Sequence, residues 1–238
     1  MKKLLFILTL IVPAFSFGQV KVLFDATKAE MSGNGDWVID ADVHDAGYNS
    51  SGVYYAGLGN ESDPQRIPTP AQSGINSTTP ETYWTGALSS WGIDLVRYGF
   101  TVETLPLTGT ITYGSTTNAQ DLSHYKVFII AEPNIKFTTA EANALVSFVQ
   151  NGGGLFMISD HTVSDRNNDG WDSPAIWNDM LTNNTVHADP FGISFDLQDI
   201  SQTSSSFLSD PSDSMLTVLY LLFCFFSFAV IFSPFLLS

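Results

Sequence analysis

Four stretches of this chain read as strands, and 124–133 among them is apolar on both faces. They are residues 20–27 (VKVLFDAT), 100–107 (FTVETLPL), 124–133 (HYKVFIIAEP) and 154–160 (GLFMISD). Continuous apolar runs of this length predict strands buried on both sides, as in a parallel sheet. Helical patterns separate them. Residues 81–99 place Trp84, Leu88, Trp91, Leu95 and Tyr98 at three- and four-residue steps, one face of a helix that Gly99 closes. Residues 138–154 predict the clearest helix. Thr138 and Glu141 form a capping box, Ala142, Leu145, Val146 and Val149 form the stripe, and glycines end it. A further helix is predicted over 173–181, with Ser173 as cap and Pro174 in the first turn, and a late or edge strand over 191–200.

Strand–helix–strand alternation of this kind predicts an α/β fold, a three-layer sandwich around a mostly parallel central sheet. The polar segment 28–79 is too long for a simple connection and reads as a functional loop.

The chain ends differ in composition from this middle. Residues 1–18 carry Lys2 and Lys3, an apolar run and small residues before Gln19, the layout of a secretory signal, so the protein is expected to be exported. Residues 19–212 make one domain. Residues 213–238 form an apolar tail whose stretch 215–237 has no charge, and two readings stand: a membrane anchor, or a truncated or frame-shifted end. Nine basic residues against 24 acidic leave a net charge of −15, and −17 once Lys2 and Lys3 are removed. Such an acidic chain lacks the clustered cations that bind phosphate backbones, which excludes nucleic acid as a partner. The single cysteine, Cys224, excludes a disulfide framework and a Cys-rich zinc site.

The candidate chemistry gathers at strand ends. If the strands are parallel, Asp25, Glu132 and Asp160 with His161 emerge at one rim, the edge where open α/β sheets bind ligands. His124 begins its strand and belongs to the opposite rim. Asp160 and His161 would form an acid/base pair, with Glu132 and Asp25 as accessory carboxylates. Just beyond, DRNNDGWD sets Asp165, Asn167 and Asp169 at alternate positions before Gly170, the opening of a calcium loop. The carbonyl of Trp171 would follow, and Asp172 would replace the missing bidentate Glu, since Ile176 stands twelfth. Calcium ranks ahead of zinc. His44, His161 and His187 each neighbour an Asp, but none has the helical spacing of a zinc pair. NGGGL runs from helix into strand, the wrong order for a phosphate cradle. Ser159 lacks the flanking glycines of a nucleophile elbow.

The segment YKVFIIAEPNIKFTTAEANALVSFVQNGGGLFMISDH resembles the class I glutamine amidotransferase-like superfamily, in its secreted and ThuA-like branch. The resemblance implies a flavodoxin-like fold over about residues 20–200. It does not bring amidotransferase activity, because Ser159 or Asp160 stands where those enzymes carry their cysteine. The function expected is a calcium-stabilised exported hydrolase with its Asp160–His161 site at the sheet edge and an unassigned substrate, carbohydrate among the candidates. The alternative is a non-catalytic cell-surface domain binding glycan or protein through Trp37, Tyr54, Tyr55 and Trp171, or a scaffold domain of a larger exported protein.

Overall fold

The structure is a computed structural model that describes residues 19–32, 35–36, 72–84, 88–106, 108–165, 167–198 and 227–231. Residues 1–18, read above as a secretory signal, His44, Trp37, Tyr54, Tyr55 and most of the apolar tail therefore lie outside the described residues. In chain order the elements are β1 (Lys21–Asp25), β2 (Met31–Ser32), β3 (Gly35–Asp36), α1 (Ser89–Arg97), β4 (Thr101–Leu105), a short 3-10 turn (Leu122–His124), β5 (Val127–Ala131), α2 (Thr139–Gln150), β6 (Gly154–Ser159), α3 (Ser173–Thr182) and β7 (Ser227–Ile231).

The main sheet has the order β4-β1-β5-β6-β7. Its first four strands are mutually parallel, and β7, drawn from the apolar tail, pairs antiparallel with β6. Counting only the parallel strands, the order is 2-1-3-4, the flavodoxin-like winding. Its direction reverses between β1 and β5, which marks the crevice where such sheets take ligands. β2 and β3 make a separate two-stranded hairpin. Among the described residues no helix is long and apolar enough to cross a membrane.

Alternation along the strands sorts the core into two layers. Leu23, Leu105, Phe128, Ile130, Leu155 and Met157 face α2 and α3, where Leu145, Phe148, Ile176 and Trp177 meet them. Val22, Phe24, Val102 and Ile129 face α1, with Ile93 and Trp84. Each fully buried side chain of this size contributes roughly 1.5–3 kcal/mol, so both faces are needed to hold the sheet. The capping box of α2 is present, with Thr138 accepting from the Glu141 backbone and Glu141 accepting in return. Gly152, at φ 91°, takes the left-handed turn that ends the helix. A side chain on Gly153 would run into the Phe148 ring at 2.3 Å.

Three expectations need correction. The first helix begins at Ser89, so Trp84 precedes it and packs from a turn. Tyr98 caps the helix end and is 82 % exposed, because the helix stops one step short of returning it to the sheet. The predicted strand over 191–200 is absent among its described residues, 191–198. That segment is held instead by Asn178, whose side-chain amide accepts from the Phe195 N–H and donates to its carbonyl, and by Phe195 stacking on Trp177. The free edge of β6 is taken by β7. The cap of α3 is Asp172, accepting from the Ala175 N–H, and Ser173 is the first helical residue.

Candidate functional site at the C-terminal rim

Parallel strands bring the ends of β1, β5 and β6 to one rim, with Asp25 closing β1, Glu132 following β5 and Asp160 following β6. The loops that leave these strands are stitched together by one residue that sequence reading passed over. Asn134 donates its backbone N–H to the Lys28 carbonyl at 2.8 Å and its side-chain amide to the carbonyls of Ala29 and Glu132. Its own carbonyl accepts from the Asn167 side chain at 2.6 Å. The β1, β5 and β6 loops thus form one body, closed further by the Glu132 N–H on the Ile158 carbonyl.

The rim is strained. Among the described residues the non-glycine positions with positive φ are Ala29 (51°), Glu132 (47°), Val163 (64°) and Asn168 (57°), and all four sit on these three loops. Holding a residue other than glycine there costs on the order of 1–3 kcal/mol.

Beneath the rim lies a buried charge network. Asp25 and Glu30 are 1 % and 0 % exposed, and the two carboxyls lie near enough to shift one another's protonation. Burial, then the charge of Asp25, drives the Glu30 carboxyl well above the usual carboxylate range. Burial also raises Asp25, against the opposing pull of Glu30, of Lys28 and of bonds from Thr27. Two carboxylates this near cannot both stay ionised without water, so the pair holds a shared proton, resident mainly on Glu30. Lys28, also buried, bonds Glu141 at 2.7 Å. Neither Glu30 nor Lys28 stood out in the sequence. The one visible signal was a charged cluster, DATKAE, directly after an apolar strand.

Of the residues expected to act, Asp25 and Glu132 are buried (Glu132 3 % exposed), Asp160 is half-buried and His161 is exposed. Asp160 accepts a bond from the Ser164 hydroxyl at 2.9 Å. The His161 Nδ1 faces the Thr162 carbonyl at 2.5 Å. A carbonyl only accepts, so in the neutral ring the proton sits on Nδ1 and Nε2 keeps its lone pair. His187 is exposed, and its Nδ1 accepts from the Asp189 N–H.

The 165–170 loop closes on itself. The Asp169 N–H is shared between Asp165 Oδ1 and Asn167 Oδ1, which brings those two oxygens together. The Gly170 N–H reaches Asp165 Oδ2, and the Trp171 N–H reaches Asp169 Oδ1. The Asn167 amide also donates to Asp169 Oδ2, so in this structure the side-chain oxygens of the turn accept from its own N–H groups. Asp172 accepts from the Ala175 and Val163 N–H groups, which ties it to the start of α3 and to the turn before the loop. No group of three His, Cys, Asp or Glu with metal-holding geometry occurs among the described residues; the third donor of this loop is an amide. Trp171 is half-buried beneath the Lys136 ammonium, 3.6 Å from its ring centre.

A cleft of about 440 Å³ opens between residues 110–113 and α2, with Glu141 and Asn143 on its wall. It includes neither Asp160 nor His161, and its polar groups are already engaged: Thr112 with Asp121, Asn143 with Thr185. No family model, curated protein or solved structure matches this chain.

Proposed function

We propose that this chain is an exported hydrolase whose acid–base chemistry sits at the β6 end of the rim, where Asp160 and His161 meet the substrate. The observation that supports the reading is the gathering of every described positive-φ, non-glycine residue on the three loops of one rim. Strain of this kind survives where surrounding bonds over-determine it, and it clusters at working sites.

His161 supplies an Nε2 lone pair to take a proton from attacking water, and Asp160 supplies a carboxyl one residue away to steady the charge that forms. Asp25, Glu30, Glu132 and Lys28, all buried, act as positioning residues that hold the loops. The acidic chain repels anionic substrates, so neutral glycosides or esters suit it better than phosphoesters. Calcium held by Asp165, Asn167, Asp169 and the Trp171 carbonyl would brace the loop that carries Asp160 and His161. Without the bidentate Glu, affinity would be in the weak range of extracellular sites. Membership of the glutamine amidotransferase-like superfamily belongs to this proposal and rests on the 125–161 segment alone.

The test is turnover of p-nitrophenyl glycosides and carboxylic esters by the purified chain. Asp160→Asn and His161→Gln are each expected to reduce kcat by about 10²–10⁴-fold with an unchanged melting temperature. Turnover that survives both substitutions, or none by the parent chain, overturns the assignment.

A further inference from the structure

Strand β7 differs from the rest of the main sheet in origin and direction. It comes from the apolar tail, stands last in the strand order, and runs antiparallel to β6, its neighbour among the described residues. The bonds on the far side of β6 show which of its backbone groups receive it. The Gly154 N–H bonds the Lys126 carbonyl, and the Ile158 carbonyl accepts from the Glu132 N–H. Gly154, Phe156 and Ile158 therefore turn their backbone groups towards β5, and by alternation Leu155, Met157 and Ser159 turn theirs towards β7. These three stand opposite Ile231, Ala229 and Ser227, the pairs that exchange N–H···O bonds. Phe156 opposite Val230 and Ile158 opposite Phe228 are the closely spaced, non-bonded pairs between them.

The five residues of β7 also lie inside the uncharged run 215–237. As a helix that run would be about 34 Å long, enough for a hydrocarbon core of about 30 Å. The two arrangements exclude one another, because one backbone cannot serve the β6 ladder and a membrane helix at once. Each satisfies its own peptide groups, in the sheet through β6 and in a bilayer through helical bonds. An end strand with one neighbour can also leave without breaking the rest of the ladder.

We propose that residues 227–231 are a detachable strand, docked on β6 in water and withdrawn when residues 215–237 enter a lipid bilayer. The exchange takes place directly below the rim, since the pairing ends at Ser159, the residue before Asp160. Asp210 and Asp213 stand just before the run, in a chain of net charge −15, so the lipid surface it suits is zwitterionic rather than anionic.

The test is residue-resolved amide exchange on the full chain, alone and with phosphatidylcholine vesicles, with flotation to report bound protein. The expected result in buffer is a monomer whose Leu155, Met157 and Ser159 amides are protected like those of Phe156 and Ile158. Vesicles should float the chain and strip protection from the first three only, because the other two bond β5. A disulfide across the central close pair, Phe156→Cys/Val230→Cys with Cys224→Ser, would pin the strand to the sheet. The oxidised form should stay off vesicles and the reduced form should bind them. Fast exchange of the three amides in buffer overturns the docked state. Protection that vesicles leave unchanged overturns the exchange with lipid, as does an oxidised variant that floats as well as its reduced form. A doubled mass by light scattering, with the three amides protected, would assign the strand to a second copy and overturn docking within one chain.

Discussion

Replacing Lys28 by methionine would remove the one cation among the described residues of the buried network and leave the Glu141 carboxylate buried without it. Lys28 Nζ and Glu141 Oε1 are 2.7 Å apart, with the two residues 5 % and 9 % exposed. At an effective dielectric near 20 their gross attraction is about 6 kcal/mol. Desolvation offsets much of that, and removing one partner of a buried pair typically costs ~3–5 kcal/mol, because the other charge stays buried. Lys28→Met is therefore expected to destabilise the fold by that amount at pH 7, read by urea melting.

Glu141→Gln keeps the capping bonds to Thr138, since a glutamine carbonyl accepts them equally well. The double variant Lys28→Met/Glu141→Gln should then recover at least about 2 kcal/mol. Additive single effects, or a loss below about 1 kcal/mol, would refute the network, since that is the behaviour of a solvated pair.

Three further outcomes follow from the rim. Glu30 has a folded-state pKa raised above its unfolded value near ~4.3, so its stabilising contribution is complete below that value and is lost as pH rises towards the folded pKa. Melting temperature should fall with rising pH across this window, and Glu30→Gln should flatten the decline; a parallel profile would exclude the shared proton. Val163→Gly relieves a left-handed β-branched residue that is 85 % exposed and gives up little packing, so denaturation should show a gain of about 1 kcal/mol. Millimolar calcium should raise the melting temperature of the parent chain but not of Asp165→Ala, and equal responses would remove the ion from the loop.

Local chemistry determined a good deal by itself. The capping box at Thr138 and Glu141, the buried stripe of α2 and the four apolar runs that became β1, β4, β5 and β6 depend on residues a few positions apart. The shared rim followed from one further step, that apolar-on-both-faces strands run parallel. The first helix was overread because Trp84 and Tyr98 fit a periodicity that tertiary packing does not use. Residues 191–200 look like a strand, yet the vacant edge of β6 went to residues 227–231.

The network beneath the rim was decided only by the fold. Lys28 meets Glu141 across 113 positions, and Asn134 reaches Ala29 across 105. Such partners have no local pattern, because the order in which strands join the sheet sets who meets whom. Burial then supplies the low dielectric that turns ordinary carboxyls into a proton-sharing pair. Periodicity names the elements; long-range pairing and desolvation give their polar residues a role.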